Sequence, residues 1–155
     1  MQQSANGFSS VQFGFGTDKL APADYNGDGK ADIAVYRNGA WYIQRSRGGF
    51  YATTFGQSGD KTVPADYGND GKTDIAVFRP SNGTWYLLQS NAGFRGVQFG
   101  FGTDLPIPAD YDGDGKADVA VFRDGNWYLH KSTVGFTGIS FGLATDKPVP
   151  NAFVP

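Results

Sequence analysis

The sequence predicts an all-β fold made of a repeated unit of four short antiparallel strands. All fifteen acidic residues are Asp and Glu is absent, so a good helix former and the Glu–Lys pairs that stabilise helices are missing. Glycine, at 23 of 155 residues, and aromatic residues, at 15%, are abundant, which favours many turns between packed strands. Short sequence markers also return at intervals of 42 to 44 residues. Together these features predict strands rather than helices.

Four markers define the repeat. The dipeptide Phe-Gly begins at Phe13, Phe55, Phe99 and Phe141. An Asp follows each of these Phe residues by five positions, at Asp18, Asp60, Asp104 and Asp146. Trp-Tyr begins at Trp41, Trp85 and Trp127, and Gly-Phe ends at Phe8, Phe50, Phe94 and Phe136. We interpret residues 1–155 as one repeat domain, with an orphan outer strand at about 7–14, repeats at about 15–56, 57–100 and 101–142, and a trailing inner strand at about 146–155.

Each repeat contains four predicted strands, which the middle copy illustrates. The first, "TVPADY", leads into an acidic loop, and the second, "DIAVFR", is apolar on both faces, which is typical of a strand buried between two layers. A tight turn follows; in the other copies it is Asn38–Gly39 and Asp124–Gly125, pairs that accept the positive φ angles of a type I′ hairpin. The third strand is "WYLLQS". The fourth, "GFRGVQFG", is more polar and suits an outer edge.

Four antiparallel strands in a repeat of this length are typical of a β-propeller blade. Such a blade has two apolar faces, which only neighbouring blades can cover. A parallel β-helix has a shorter period, and a β-sandwich does not require such regular markers. The sequence therefore predicts a β-propeller of four-stranded antiparallel blades, with about three blades per chain plus orphan terminal strands.

The loop between the first and second strands is acidic in every copy. The copies read "DYNGDGKAD" from Asp24, "DYGNDGKTD" from Asp66 and "DYDGDGKAD" from Asp110. Oxygen side chains at positions 1, 3, 5 and 9, a Gly at position 6 and a backbone carbonyl at position 7 suit Ca²⁺, which accepts six to eight oxygen ligands. Position 12, where an EF-hand has Glu, is Val in all three loops. A set of Asx-turns without metal is the alternative, but three matching copies favour calcium.

The middle loop departs from this pattern because position 3 is Gly68 and an Asn is displaced to position 4. We expect weaker or water-completed calcium binding there. In all loops we expect the ion to neutralise the clustered carboxylates and fix the bend, so that its binding energy stabilises the fold.

Composition excludes several classes of function. The net charge of −2 and pI of about 5.1 give no basic field for nucleic acid or anionic lipid. No apolar run approaches the roughly 20 residues of a membrane span, and the start "MQQSANGF" does not have the pattern of a signal peptide. Without Cys there are no disulfides, thiol nucleophiles or Cys-ligated zinc sites. The single His130 occupies a slot filled by Gln or Leu elsewhere, so we interpret it as a tolerated variant rather than a catalytic residue.

Three further sets of repeated residues have both a structural and a ligand-binding interpretation. The Trp residues are expected to pack between blades rather than to stack on sugars, because the next residue on the same face is Ile43, Leu87 or Leu129. Each second strand ends in an arginine, for which we predict an ion pair with an Asp of a neighbouring loop rather than an acidic ligand: Arg37, Arg79 and Arg123. The Asp that follows Phe-Gly is expected to form a turn by accepting backbone N–H bonds.

The elements "PADYDGDGKADVAVFR…WYL" and "GFRGVQFG" resemble FG-GAP/VCBS repeats, the calcium-binding blades of integrin-type propellers and of many bacterial surface and secreted proteins. The resemblance runs from about Gly7 to Pro150. It implies an extracellular or cell-surface propeller, commonly seven-bladed, with Ca²⁺ in the loop between the first and second strands of a blade. With three such loops we expect up to three Ca²⁺ per chain, and the departure at Gly68 makes the middle site the weakest. The implied ligands are Asp24, Asn26, Asp28, Lys30 (carbonyl) and Asp32; Asp66, Asp70, Lys72 (carbonyl) and Asp74; and Asp110, Asp112, Asp114, Lys116 (carbonyl) and Asp118.

Three blades are too few to close a seven-bladed ring. The chain is then a homo-oligomer that completes the ring, a fragment of a longer array or a small distorted ring, and we favour the homo-oligomer because symmetric closure buries every blade face. The function we expect is that of a non-catalytic calcium-binding module that binds a glycan or protein or presents a surface. The alternative is a purely structural, self-assembling propeller fragment with no ligand beyond metal. Neither a nucleic-acid partner nor membrane insertion is expected.

Overall fold

The computed structural model of the chain describes residues 2–3 and 7–149. Within them the regular secondary structure is entirely β, as predicted. A two-stranded ribbon contains β1 (Gln2–Gln3) and β2 (Gly7–Phe8). Blade 1 contains β3 (Lys19–Leu20), β4 (Ile33–Arg37), β5 (Ala40–Arg45) and β6 (Gly49–Thr54). Blade 2 contains β7 (Lys61–Thr62), β8 (Ile75–Arg79), β9 (Thr84–Gln89) and β10 (Gly93–Gln98). Blade 3 contains β11 (Leu105–Pro106), β12 (Val119–Arg123), β13 (Asn126–Lys131) and β14 (Gly135–Ser140).

Each blade is an antiparallel sheet in which strands follow one another in chain order. The second strand is central and buried on both faces: in β8, the residues from Ile75 to Phe78 are at most 7% exposed. The hairpin turns have the predicted backbone, with φ of 49° at Asn38 and 93° at Gly39 in blade 1. These sheets confirm the prediction of propeller-like blades. They do not close into a ring within the described residues.

The blades pack face to face through apolar side chains. Trp41 and Ile43 of blade 1 share a core with Ile75 and Val77 of blade 2. The same arrangement joins blade 2 to blade 3, where Trp85 lies in one core with Val119 and Val121. Trp41 and Trp85 are 0% exposed, which confirms that they pack between blades. Blades 1 and 2 therefore each present a Trp-bearing face to the Val-bearing face of the next blade.

An arginine–aspartate pair fixes the end of each second strand. Arg79 donates Nε and Nη2 to the two carboxylate oxygens of Asp60, both at 2.9 Å, and the corresponding pairs are Arg37–Asp18 and Arg123–Asp104. Asp60 also accepts the Gln57 N–H at 3.0 Å. The predictions of an ion pair and of an Asp turn are thus both confirmed. The Asp60 carbonyl in turn accepts a hydrogen bond from Lys19 at 2.7 Å, which ties the β3 strand of blade 1 to the turn that precedes blade 2.

The ion pair of blade 1 also shifts the pKa of its aspartate. Hydrogen bonds from Arg37 and from the Phe15 N–H lower the pKa of Asp18 to about 2. Because the folded-state pKa lies below the ordinary value, the stabilisation from this carboxylate is present above pH 4 or so, about the ordinary pKa of Asp. It is lost as the pH falls through about 2.

The terminal segments form less strand than the sequence suggests. In the region expected to form an outer strand at 7–14, only Gly7–Phe8 is in a strand, and it pairs with Gln2–Gln3. The chain then lies against blade 1, where Phe13 contacts Phe50 edge to face at 6.4 Å between ring centroids. Residues 146–149 of the expected trailing strand are not in a strand, and residues 150–155 lie outside the described residues. Among the described residues neither segment has a neighbouring blade strand with which to pair, which explains the shorter strands.

Candidate metal centre

Each acidic loop joins the first and second strands of its blade and is held closed by its last aspartate. Asp32, at position 9 of the first loop, is 1% exposed. Its Oδ2 accepts the Tyr25 N–H at 2.9 Å and its Oδ1 accepts the Ser46 N–H at 2.6 Å. Asp74 and Asp118 make the same two bonds in their blades. This aspartate therefore ties the loop to the turn between the third and fourth strands.

The first aspartate curls the loop around its carboxylate. Asp24 accepts the N–H groups of Gly27 and Gly29, each at 2.7 Å, and Asp110 accepts the equivalent groups of the third loop. Gly29 has a φ of 80°, a conformation that favours glycine, so position 6 needs this residue type. The backbone N–H of Lys30 also bonds Asp28 at position 5, at 3.0 Å, with equivalent bonds at Lys72 and Lys116.

The third loop brings three carboxylates together. Asp110, Asp112 and Asp118 each offer one oxygen, and these oxygens lie within 4.8 Å of one another. The Oδ1 atom of Asp112 is buried and has no hydrogen-bond partner in the structure. Burial raises the pKa of Asp118, and the nearby charge of Asp112 acts in the same direction. A bound cation would relieve this repulsion and would satisfy the orphaned oxygen.

The donor set fits calcium. All the side-chain donors are oxygen atoms, and each carboxylate oxygen has two lone pairs, so an oxygen that accepts an N–H bond can still bind a metal ion. The fourth carboxylate of the third loop, that of Asp114, lies outside the group of three and accepts hydrogen bonds from Ser132 and Lys116. Among the described residues, the first and middle loops bring no such group of three together.

The three loops are linked in a row along one edge of the blades. The Asp24 carbonyl of the first loop accepts the N–H of Thr73 in the middle loop at 2.7 Å. The Asp66 carbonyl of the middle loop accepts the N–H of Ala117 in the third loop, also at 2.7 Å. The backbone of each loop is therefore hydrogen-bonded to the backbone of the next.

The sequence interpretation missed a serine that supports every loop. Ser46 donates its hydroxyl to Asp28 at 2.7 Å and its N–H to Asp32. Ser90 and Ser132 make the corresponding bonds in the other blades. The signal was present, because a serine stands at the same place in all three repeats. Its role at the acidic loop was not predicted because the serine follows the third strand and is far from the loop in sequence.

A second feature is an aromatic groove between blades 2 and 3, and its arginine–aromatic contact recurs along the chain. Between blades 2 and 3, a groove of about 340 Å³ is lined by Phe99, Phe101, Arg123, Tyr128 and Phe136, among others. The guanidinium carbon of Arg123 lies 4.3 Å from the ring centroid of Phe101 and 4.9 Å from that of Tyr128. The Phe136 side chain is 65% exposed at the rim.

The equivalent positions before blade 1 and between blades 1 and 2 repeat the arginine–aromatic contact. The Arg37 guanidinium lies 4.2 Å from the ring centroid of Phe15 and 5.0 Å from that of Tyr42. The guanidinium carbon of Arg79 lies 4.4 Å from the ring centroid of Tyr86. Gln57 stands there at the position that Phe101 occupies in the next repeat.

A comparison with protein families supports the repeated unit found in the sequence. The family model described as FG-GAP-like repeat matches residues 24–77 and again residues 66–121, and each match begins at the first aspartate of a loop. No curated protein and no solved structure was found to be significantly similar. None of the described segments forms a helix with the length and apolarity of a membrane span. Since the two matches together cover more than half of the chain, the chain belongs to the FG-GAP-like repeat family.

Proposed function

We propose that this protein is a non-catalytic, calcium-binding β-propeller module that works outside the cell, with up to three ions per chain. The observation that carries the proposal is the cluster of Asp110, Asp112 and Asp118 with its orphaned carboxylate oxygen. Repeats of this family are typically extracellular and non-enzymatic. The ions would offset the repulsion within each loop and hold the hairpin bend on which the blade depends.

The loops are expected to differ in affinity. Calcium affinity rises with the number of charged ligands. The third loop offers four carboxylates, the first offers three with the amide of Asn26, and the middle offers three with Gly68 at position 3. We therefore place the tightest site in the third loop and the weakest in the middle loop.

Isothermal titration calorimetry of the metal-free chain with CaCl₂ tests this function. We expect three binding events per chain, one for each loop. Asp112→Asn removes one charge from the third site and should weaken that site about tenfold, on the order of 1.4 kcal/mol. Asp124→Asn is the matched control, because it removes the same charge from an exposed hairpin turn. Absence of calcium binding by the folded wild-type chain would contradict the proposal.

Ligand binding is the second part of the proposed function, and the aromatic groove between blades 2 and 3 is the surface that favours it. The open faces of Phe101 and Phe136 are apolar and flat, which suits the C–H face of a pyranose ring. Arg123 binds Asp104 through Nε and Nη2, so its Nη1 donors are directed elsewhere and can bond a hydroxyl group. We therefore favour a neutral glycan over a protein as the ligand. If two chains associate, the groove of each chain would add avidity to weak single contacts.

A glycan array probed with the calcium-loaded chain tests this part. We expect saturable binding to at least one glycan class, and Phe136→Ala should weaken it about tenfold, the scale of one lost aromatic contact. Phe8→Ala is the matched control, because Phe8 is also exposed but lies in the terminal ribbon. If no glycan binds, the purely structural scaffold is favoured instead. Equal binding by Phe136→Ala would exclude this groove as the site.

We also infer that the third blade is covered by a further blade, supplied by a second copy of this chain. Trp127 is only partly buried, whereas its equivalents in blades 1 and 2 are fully buried. Beside it, Phe141 and Leu143 are 74% and 69% exposed. Asp146 forms its turn, but among the described residues it has no arginine partner of the kind that Asp60 and Asp104 have. A blade of a second copy carries the Val-bearing face that the first two Trp faces accept.

A further inference from the structure

The middle loop lacks a ligand at position 3, and a residue from elsewhere in the blade takes the space. A Cβ placed on Gly68 would lie 2.5 Å from Oδ1 and 2.7 Å from Nδ2 of Asn91. Asn91 stands in the turn between β9 and β10, and its Nδ2 donates to the Gly68 carbonyl at 3.0 Å. The carboxamide of Asn91 thus occupies the place where the side chain of position 3 would begin.

The other two blades show that this turn always adjoins position 3. In blade 1 the carbonyl of Arg47, at the equivalent turn position, accepts a bond from Asn26 at 2.8 Å. In blade 3 the N–H of Thr133 donates to Asp112 at 3.3 Å. There the turn residue contacts a position-3 side chain that belongs to the loop. In blade 2 the loop has no such side chain, and the turn residue extends into the space.

The displaced Asn69 does not fill the gap. It stands at position 4, where the other loops have Gly27 and Gly113, and it adopts their left-handed backbone with a φ of 56°. Its Nδ2 donates to the Asp114 carbonyl of the third loop at 3.2 Å. Asn69 therefore connects neighbouring loops and is turned away from the middle site.

We propose that Asn91 supplies the side-chain oxygen that Gly68 does not, so that the middle calcium site is assembled from two segments of blade 2. A side-chain amide oxygen is an ordinary calcium ligand. The bond from Nδ2 to the Gly68 carbonyl sets the orientation of the carboxamide, and Oδ1 keeps its lone pairs for a cation. This inference rests on the calcium binding proposed above. It identifies Asn91 as a ligand that inspection of the loop alone does not find.

Calorimetric titration of the Asn91→Ala variant with CaCl₂ tests the inference. We expect the variant to lose one of the three binding events of the wild-type chain while the other two keep their affinities. Arg47→Ala is the matched control, because that turn residue contacts position 3 only through its backbone carbonyl. It should retain all three events. Asn91 is exposed, so its replacement should not unfold the blade, and circular dichroism of the metal-free variant checks this.

The double variant Gly68→Asp with Asn91→Ala provides a rescue. Gly68 does not have a positive φ, so Asp at this position introduces no backbone strain, and removal of Asn91 removes the close contact. We expect the third binding event to return, now with a loop carboxylate as in the third loop. The inference would be overturned by three binding events in Asn91→Ala, by only two in the wild-type chain, or by no recovery in the double variant. Each of these results would leave the proposed calcium binding of the other loops intact. No calcium binding by the wild-type chain would overturn the inference together with the proposed function.

Discussion

Removal of calcium with EDTA is expected to lower the thermal unfolding midpoint of this protein by about 10 °C or more. An ion that binds only the folded state at 100 times its Kd adds about 2.7 kcal/mol per site. Two or three such sites add about 5 to 8 kcal/mol, and for a domain of this size each kcal/mol shifts the midpoint by about 2 to 4 °C. The physical reason is that ten of the fifteen aspartates lie in the three loops and repel one another without an ion.

Differential scanning calorimetry in CaCl₂ and in EDTA at matched ionic strength measures this shift. Mg²⁺ in place of Ca²⁺ is the control, because Mg²⁺ prefers strict octahedral geometry and should restore little of the midpoint. The same samples can be examined by light scattering. If blade 3 is covered by a second copy, the mass should exceed that of one chain in calcium and fall in EDTA. An unchanged unfolding midpoint would contradict stabilisation of the fold by calcium. The mass of a single chain in calcium would contradict the pairing of blade 3 with a second copy.

Features that depend on local spacing could be predicted from the sequence. The continuous apolar run in "DIAVFR" predicts a strand covered on both faces, and β8 is buried from Ile75 to Phe78. The Asp five residues after the Phe of Phe-Gly predicts a turn, and its Oδ2 accepts the expected N–H bond. These features are determined within a few residues, so one repeat contains all the information that they need.

Features that depend on contacts between distant segments could not be predicted from the sequence of one repeat. Ser46 and Asn91 act on acidic loops about 20 residues earlier in the chain, and their contacts exist only after the third strand has paired with the second. The partner of Arg79 was predicted only as an aspartate of a neighbouring loop, although the 19-residue separation from Asp60 recurs in every repeat. The terminal strands were expected from the same markers, but a strand also needs a neighbour to pair with.

Replacement of Trp85 by Ala is expected to destabilise the protein by about 4 kcal/mol. Its side chain is fully buried between blades 2 and 3, its indole N–H donates to the Phe99 carbonyl at 2.9 Å, and its ring lies 5.5 Å from that of Phe78. Truncation leaves a cavity at the centre of a blade interface, and it leaves the partly buried Phe99 carbonyl without its donor.

Trp127→Ala is the matched comparison, because Trp127 stands at the same position in blade 3 and is only partly buried. In a single chain it should cost about half as much, since less apolar area returns to water. Unfolding with guanidinium chloride in excess calcium measures both free energies, at a protein concentration low enough to keep chains apart. A higher concentration should raise the cost of Trp127→Ala toward that of Trp85→Ala if a second copy covers this face. Equal costs at every concentration would show that blade 3 is already enclosed within one chain.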